Sequence, residues 1–389
     1  MNREFSPKAV LEAIRSVAQS DNTFVALHEP KFAGNEWTYV KECLDIGWVS
    51  SVGKFVDRFE DDLAAYTGAK RAIALVNGTA ALHVCLILSG VVPGDEVLIP
   101  ALTFIATANA VSYCGAVPHF IDSEEKTLGV DPGKLAAYLE DIAEDRQDGC
   151  YNRITGRRIK TLVPMHAFGH PLDIEPLLKI CADFRIELVE DAAESLGSFY
   201  KGRHTGTFGR LAAISFNGNK IMTTGGGGAI LTGDEELGRL AKHLTTTAKV
   251  PHRWEFNHDM IGYNYRLPNI NAAIGCAQLE QLSAFLDNKR ALADRYAQAF
   301  REVPGVRFIR EPEFCRSNYW LNAIILDEEF SNMRDEILEV TNSAGITTRP
   351  AWTLMHRLPM FTYCPHMNLT TSENLVRRLI NIPSSAGLV

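Results

Sequence analysis

The sequence "SFNGNKIMTTGGGGAI", residues 215–230, contains one lysine, Lys220, followed by four consecutive glycines, Gly225 to Gly228. A lysine in a polar loop is normally a solvated surface residue. Four glycines change that interpretation, because they let backbone approach a bulky planar group closely or adopt positive φ. A lysine held near a phosphate is the kind of group that forms a Schiff base. The stretch therefore suggests an imine-forming lysine just past a strand.

Short apolar runs alternate with helix-like segments from about residue 70 to 250. The runs lie at 72–76, 96–100, 117–121, 161–165, 186–191, 212–216 and 229–232, and one of the intervening helices is predicted over 131–145. Strand–helix alternation at this spacing predicts right-handed βαβ units. We expect an α/β fold with about seven strands in a mostly parallel sheet.

The pattern changes beyond residue 250. A long helical stretch covers roughly 270–302, and shorter strands and two more helices follow it. This organisation predicts a large domain over residues 36–255. A linking helix and a small α+β domain would occupy residues 256–389, joined by residues 1–35.

Composition excludes several classes of protein. The 389 residues are 46% hydrophobic and 22% charged, with a formal net charge of −8 and no Lys/Arg run, which argues against a nucleic-acid partner. The eight cysteines form no CxxC pair, which favours a reducing compartment over a disulfide framework. Neither a signal-peptide core nor an apolar run of membrane-spanning length is visible. We expect a cytoplasmic protein without a membrane partner.

The motif "NGTAALHV", residues 77–84, predicts an anion site. A strand ends here, Gly78 allows a tight turn, and a helix begins near Thr79. The first N–H groups of a helix lack partners inside it, and the helix dipole favours negative charge there. No GxxxxGK[ST] pattern occurs, so the motif is not a Walker loop. Taken alone, such a motif is more often a purely structural helix start than a phosphate site.

The segment "IELVEDAAESLGS", residues 186–198, places Glu190 and Asp191 at the end of a predicted buried strand. Ligands of open α/β sheets bind at that edge. A carboxylate there could hold a cationic ring nitrogen. It could equally cap the next turn, and the segment alone leaves both interpretations open.

Together the three motifs specify more than any one of them. A phosphate-binding helix start, a carboxylate and Lys220 all follow strands of one sheet, and the Ser215 hydroxyl could join a phosphate cup. Pyridoxal 5′-phosphate (PLP) needs an anchor for its phosphate, a carboxylate that keeps its ring nitrogen protonated, and a lysine that forms the imine. The sequence therefore predicts PLP as the cofactor.

With these motifs the chain resembles the DegT/DnrJ/EryC1/StrS sugar aminotransferases of PLP fold type I. The resemblance covers nearly the whole chain and rests on "NGTAALH", "PALTFIATANAV", "VEDAAESLGS", "SFNGNKIMTTGGGGAI" and "MIGYNYRLPNINAAIGCAQLEQL". Some family members are dehydratases with histidine in place of the lysine. The presence of Lys220 implies transamination instead.

The resemblance assigns roles to individual residues. It implies that Lys220 forms the imine with PLP and that Asp191 is the partner of the pyridine nitrogen. The residues implied to bind the phosphate are Gly78, Thr79 and Ser215. Phe104 matches the aromatic residue that stacks on the ring. Asn264, in "GYNYR", matches an asparagine that reaches the neighbouring subunit's cofactor, which implies a homodimer with shared active sites.

Glu194 departs from the family pattern. Many members carry Gln or His at this position, near the 3-oxygen of the ring, where this chain has a glutamate. A carboxylate there would alter the hydrogen bond to that oxygen. The resemblance still implies that Glu194 binds the cofactor, but it leaves open what the carboxylate does at the 3-oxygen.

The substrate is less directly indicated. "SFNGNKIMTTGGGG" with "WVSSVGKFVDRFE", residues 48–60, resembles the branch that acts on UDP-linked 4-keto-6-deoxy-N-acetylhexosamines, with L-glutamate as amino donor. GDP-perosamine synthases are the close alternative. Candidate substrate contacts are Trp48, Ser50, Lys54, His166, Arg266, Tyr319 and Arg349. Trp48 and Tyr319 are equally readable as packing residues.

Metal binding and two rival functions are less well supported. His166 and His170, in "HAFGH", have metal-like spacing, but the glycine between them and the following proline disfavour a helical site, so we expect no metal. A PLP-binding regulator without turnover would be favoured by a DNA-binding domain or a missing lysine. A nucleotide-binding module would be favoured by a Walker pattern. None of these features is found in the sequence.

Overall fold

The computed structural model describes residues 5–18 and 24–388. Within them the α-helices are α1 (Pro7–Val17), α2 (Glu36–Asp45), α3 (Lys54–Thr67), α4 (Gly78–Leu88), α5 (Ile105–Tyr113), α6 (Pro132–Ile142), α7 (Ile174–Asp183), α8 (Glu235–Thr245), α9 (Asn269–Ala299), α10 (Arg334–Ser343) and α11 (Thr370–Arg378). The strands are β1 (Arg71–Leu75), β2 (Glu96–Pro100), β3 (Val117–Ile121), β4 (Ala143–Arg146), β5 (Gly149–Asn152), β6 (Arg158–Leu162), β7 (Glu187–Asp191), β8 (Phe199–Tyr200), β9 (Arg203–His204), β10 (Leu211–Ser215), β11 (Gly228–Thr232), β12 (Val306–Phe308), β13 (Cys315–Arg316), β14 (Asn322–Leu326), β15 (Arg349–Pro350) and β16 (Leu379–Ile382).

The central sheet has the strand order β1-β11-β10-β7-β6-β2-β3. The pairs β10–β7, β7–β6, β6–β2 and β2–β3 are parallel, whereas β11 is antiparallel to both β1 and β10. All five residues of β2 and all five of β10 are buried, as expected for strands covered on both faces. The prediction of seven strands in a mostly parallel α/β sheet is confirmed for this path.

The helix predicted over 131–145 is wrong at its end. Helix α6 stops at Ile142, and residues 143–146 form β4, which pairs with β5 as a hairpin. The hairpin turns before Gly149, and Cys150 pairs with Ile159 at the start of β6. This pairing buries Cys150, so tertiary contacts override the helical pattern of the sequence.

A second sheet is built from the later part of the chain. Its order is β12-β14-β16-β15, and all of its pairings are antiparallel. Helix α1 packs into the same apolar cluster as this sheet, through Val10, Ile14, Ile324 and Ile382. The boundaries 36–255 and 256–389 stay a prediction, as does the inclusion of residues 1–35, of which 1–4 and 19–23 lie outside the described residues.

The topology brings the predicted motifs to one edge of the central sheet. Strand β7 ends at Asp191 and β10 ends at Ser215. Phe104 follows β2 and stands directly before α5. The carboxyl ends of parallel strands share one edge of a sheet, which is where ligands of such folds bind.

Candidate active site

A cavity of about 420 Å³ opens at the carboxyl ends of the central strands. It is lined by Asn77, Gly78, Thr79, Leu82, Phe104, Ala106, Met165, Asp191, Ala193, Glu194, Ser215, Asn217, Asn219, Lys220, Trp320 and Trp352. Seven of the residues predicted to act on the cofactor are therefore brought together. They are Gly78, Thr79, Phe104, Asp191, Glu194, Ser215 and Lys220.

The start of α4 forms one end of the cavity. The Asn77 side chain caps this helix by accepting a hydrogen bond from Ala80 N at 2.7 Å. Gly78 and Thr79 occupy the first turn, where N–H groups have no acceptor inside the helix. A Cβ on Gly78 would lie 3.0 Å from the Ser215 side chain, so glycine lets the helix start and the end of β10 meet closely. This corner suits a phosphate.

The glycine run fits around this corner. Gly225 has a φ of +82°, which favours glycine. A Cβ on Gly228 would lie within 2.6 Å of the backbone of Asn77 and Gly78, so β11 can approach the helix start only without a side chain. Gly226, by contrast, faces open space. The run is therefore required at particular positions by close backbone packing beside the cavity.

Asp191 presents a buried carboxylate to the cavity. Thr107 Oγ1 donates to Asp191 Oδ2 at 2.7 Å, and Ala193 N donates to Asp191 Oδ1 at 3.2 Å. Burial raises the pKa of Asp191, since these hydrogen bonds and the charge of Lys220 offset it only in part. A cationic group bound beside Asp191 would stabilise the ionised form.

The preceding residue, Glu190, points away from the cavity because side chains alternate along a strand. It accepts hydrogen bonds from Gly206 N at 2.6 Å, Phe208 N at 2.6 Å and Gly209 N at 2.8 Å, and lies 3.1 Å from His166 Nε2. Burial alone would raise the pKa of Glu190, but these hydrogen bonds and the His166 interaction lower it. Glu190 thus anchors the strand end that carries Asp191.

Lys220 and Glu194 meet inside the cavity. Lys220 Nζ lies 3.2 Å from Glu194 Oε1, and Phe168 N donates to Glu194 Oε2 at 2.9 Å. Burial raises the pKa of Glu194 to about 7 despite the neighbouring lysine. Phe168 holds its N–H in place with a φ of +56°, an uncommon conformation for a bulky residue. Glu194 is thus an acid that can exchange a proton near neutral pH.

Two tryptophans in the cavity were missed by sequence reasoning. Trp320 lies with its ring centroid 3.9 Å from Lys220 Nζ, and Trp352 packs against Phe168 at 4.9 Å between centroids. Phe104 is 47% exposed and lies 6.5 Å from Trp352. Both tryptophans come from segments more than 90 residues beyond Lys220 with no motif of their own. In the segment that carries Trp320, the sequence analysis chose the preceding residue, Tyr319, as a substrate contact.

Two of the predicted substrate contacts are buried away from the cavity lining. His166 is fully buried, and its ring interacts with Glu190. Tyr319 is 4% exposed, and its hydroxyl accepts from Glu311 N at 3.3 Å. The structure thus gives His166 and Tyr319 packing and hydrogen-bonding positions.

The remaining predicted residues lie outside the cavity lining of this chain, at more exposed positions. Trp48 is 54% exposed, and its carbonyl accepts from Asn269 Nδ2 at 2.7 Å. Arg266 Nε donates to Asn264 Oδ1 at 3.0 Å. The other three are Ser50, whose carbonyl accepts from Asn269 N, Lys54, which pairs with Glu42, and Arg349, which donates to Asn342. Contacts of these residues with a ligand stay a prediction.

The histidine pair shows no metal geometry. His166 and His170 flank a short 3-10 turn, Ala167–Gly169, rather than a helix. Burial lowers the pKa of His170 to about 4. Across residues 5–18 and 24–388 no group of three or more His, Cys, Asp or Glu side chains is arranged to hold a metal ion. Nor does any helix in those ranges have the length and apolar character needed to cross a membrane.

Comparison with known proteins identifies the family. A profile of the DegT/DnrJ/EryC1/StrS aminotransferase family matches residues 30–389, and the chain belongs to this family. It is 37% identical to a GDP-perosamine synthase of Caulobacter vibrioides over 95% of both chains. A GDP-perosamine synthase of Escherichia coli O157:H7 is 36% identical over 94% of both chains.

A solved structure agrees with this assignment. The aminotransferase TlmJ from Streptoalloteichus hindustanus superposes with a TM-score of 0.83 at 27% identity, over 93% of both chains. The resemblance stated from the sequence is therefore confirmed, as are fold type I and aminotransferase activity. Aminotransferases of this family use PLP. The residues around the cavity fit that cofactor, because they combine an anion-binding helix start, a buried carboxylate and a lysine.

Proposed function

We propose that this family member transfers the amino group of L-glutamate to the 4-ketone of a nucleotide-linked 4-keto-6-deoxy sugar. The observation that supports this most strongly is the convergence of Lys220, Asp191 and the start of α4 on one cavity. PLP, when bound, supplies an aldehyde that condenses with amines and a ring that withdraws electrons from the adjoining carbon. The protein supplies orientation, charge and proton transfer.

Three groups of the chain would hold the cofactor. The first turn of α4, with Gly78 and Thr79, and the Ser215 hydroxyl provide donors for its phosphate. The Asp191 carboxylate would accept a hydrogen bond from the ring nitrogen and stabilise its protonated form. Phe104, half-exposed at the cavity, offers an aromatic face for the ring.

Lys220 is the proton carrier of the proposed reaction. Its amine, once free, would take the proton from the carbon that bears the donor's amino group and deliver it to the carbon on the other side of that nitrogen, which the cofactor supplies. Glu194, 3.2 Å away, is the nearest group with which Lys220 Nζ can share that proton. In the second half of the reaction the same proton movements run in reverse on the sugar.

Two sugar substrates remain to be compared. The stretches at 48–60 and 215–228 favour a UDP-linked 2-acetamido-4-keto-2,4,6-trideoxyhexose. The names of the two GDP-perosamine synthases to which the chain is similar favour a GDP-linked 4-keto-6-deoxyhexose. Both substrates present a 4-ketone, so the cofactor chemistry is the same.

Absorption spectroscopy tests the proposal in two stages. Purified protein should absorb in the visible region as a PLP imine, L-glutamate should bleach this band, and Lys220→Ala should abolish it. The bleached protein is then offered UDP- and GDP-linked 4-keto sugars, and the true substrate restores the band. A colourless protein that takes up no PLP would contradict the proposed function.

We also propose a homodimer in which each active site uses residues of both subunits. Exposed apolar side chains occur in two stretches, 44–52 and 254–261; Trp254 is 68% exposed and Ile261 87%. Surfaces of this kind indicate protein contacts. Asn264 and Arg266 lie next to the second stretch.

Mixed dimers test the shared site. Co-expressed Lys220→Ala and Asn264→Ala chains should regain activity that neither variant has alone, because one site of each heterodimer contains both native residues. A monomer in light scattering, or an absence of complementation in isolated heterodimers, would refute the arrangement.

A further inference from the structure

Trp320 is placed where it can act on the reactive amine. Its indole ring lies 3.9 Å from Lys220 Nζ, measured to the ring centroid. Glu194 Oε1 approaches the same nitrogen at 3.2 Å. Trp320 is 4% exposed and the Lys220 side chain 11%, so little water competes for the amine. A cation over an aromatic face is held more strongly when it is desolvated.

Three hydrogen bonds hold Trp320 in this place, one made by its indole and two by its backbone. Trp320 N donates to Asn318 Oδ1 at 2.7 Å, and Trp320 Nε1 donates to the Asn219 carbonyl at 2.6 Å. The Trp320 carbonyl accepts from Lys289 Nζ at 3.0 Å. Lys289 is fully buried, and burial lowers its pKa well below the ordinary value. Lys289 Nζ also donates to the Ser384 carbonyl, so this buried lysine ties the backbone of Trp320 to the end of the second sheet.

The same framework holds Glu194. Asn318 Nδ2 donates to the carbonyls of Glu194 at 2.9 Å and of Leu196 at 2.8 Å. One asparagine therefore ties the tryptophan and the glutamate together. The distance between the aromatic face and the carboxylate, which flank Lys220 Nζ, is set by this link.

We propose that Trp320 is a positioning residue for Lys220. Its ring face holds the ammonium form of the lysine whenever the amine is not bonded to the cofactor, and keeps the proton directed into the cavity beside Glu194. This inference rests on the proposed function, in which Lys220 is released and carries a proton in each half-reaction. Simple packing would leave the charge of Lys220 without influence on Trp320.

The contact is tested first in the cofactor-free protein. The chain has five tryptophans, so 5-fluorotryptophan labelling gives five ¹⁹F resonances, and Trp320→Phe and Trp352→Phe identify two of them. Lys220→Met should move the Trp320 resonance more than the Trp352 resonance, because it removes the cation from one ring only. An unmoved Trp320 resonance would overturn the proposal, and this result does not depend on catalysis.

The positioning role is tested in the half-reaction with L-glutamate. Trp320→Leu should slow bleaching of the cofactor band by about 2- to 30-fold, the range expected from loss of one cation–π contact. The ratio of the bleaching rates with L-glutamate and with 2-deuterated L-glutamate should rise, because transfer of that hydrogen by a poorly positioned Lys220 becomes the slower step. Trp320→Phe, which keeps an aromatic face, should restore most of both properties.

Trp352→Leu is the matched control, since it removes a cavity tryptophan that does not contact Lys220 Nζ. Its isotope effect should equal that of the native protein. Equal isotope effects for Trp320→Leu, Trp352→Leu and the native protein would overturn the positioning role. If the native protein itself fails to react with glutamate, the proposed function fails, while the ¹⁹F result still decides the contact.

Discussion

The substitution Glu194→Gln should make the stability of the cofactor-free protein less dependent on pH. Glutamine has nearly the same shape as the protonated acid, and its carbonyl can still accept from Phe168 N, as Glu194 does at 2.9 Å. What the change removes is the ability to ionise in a buried position. The experiment therefore isolates the free-energy cost of the charge.

The magnitude follows from the pKa. Burial raises the pKa of Glu194 from its ordinary 4.5 to about 7. Between these pH values the unfolded chain releases the proton while the folded chain retains it, so the free energy of unfolding falls as pH rises. At 1.36 kcal/mol per pH unit the loss is about 3 kcal/mol, and it is complete above pH 7. Glu194→Gln should therefore gain about 3 kcal/mol relative to the native protein between pH 4.5 and 8.

Urea denaturation of both proteins across this pH range measures the difference. Glu190→Gln is the matched control, because hydrogen bonds and His166 outweigh burial and lower the pKa of that neighbouring carboxyl. Its stability relative to the native protein should fall with rising pH only below about pH 4.5, where a carboxyl of lowered pKa titrates, and should stay level from there to pH 8. A pH-independent difference for Glu194→Gln, or the same trend for both variants, would refute the reasoning.

Three further substitutions test other parts of the site. Gly228→Ala should lower the melting temperature and weaken PLP binding, at a cost of about 1–3 kcal/mol, because its Cβ meets backbone, whereas Gly226→Ala should change neither. Asp191→Asn should still take up PLP, but stopped-flow bleaching by glutamate should slow by about 10²–10³-fold; an unchanged rate would exclude Asp191 as the ring partner. His166→Ala should cost about 3–5 kcal/mol in urea denaturation, because it leaves the buried Glu190 carboxylate without its side-chain partner; a smaller loss would show that the three backbone donors suffice.

Much of the site could be predicted from the order of strands and motifs along the sequence. Asp191, Ser215 and Lys220 each lie at or just past the end of an apolar run. Parallel strands place such positions at one edge of the sheet, so the sequence could predict that these three residues lie close together. The glycine run was informative for a physical reason, since Gly228 lies against the backbone of Asn77 and Gly78 at the start of α4, where we propose that the phosphate binds.

Other features depend on contacts that no local pattern records. The hairpin at residues 143–152 is stabilised by pairing with β6, whose first residues bury Cys150. Trp320 and Trp352 reach the cavity from the far end of the chain. Tyr319 and Trp320 are neighbours in sequence, yet only the tryptophan lines the cavity, and which of them does so is set by the turn at Tyr319, whose φ is +47°.

Borohydride reduction of the PLP-loaded protein identifies the side chain that forms the imine, which we propose to be Lys220. Reduction makes the linkage permanent, and peptide mass mapping then locates the added cofactor. We predict one labelled peptide, the one that contains Lys220. A cofactor found on another side chain, such as Lys289, or an unlabelled Lys220 peptide would contradict the account.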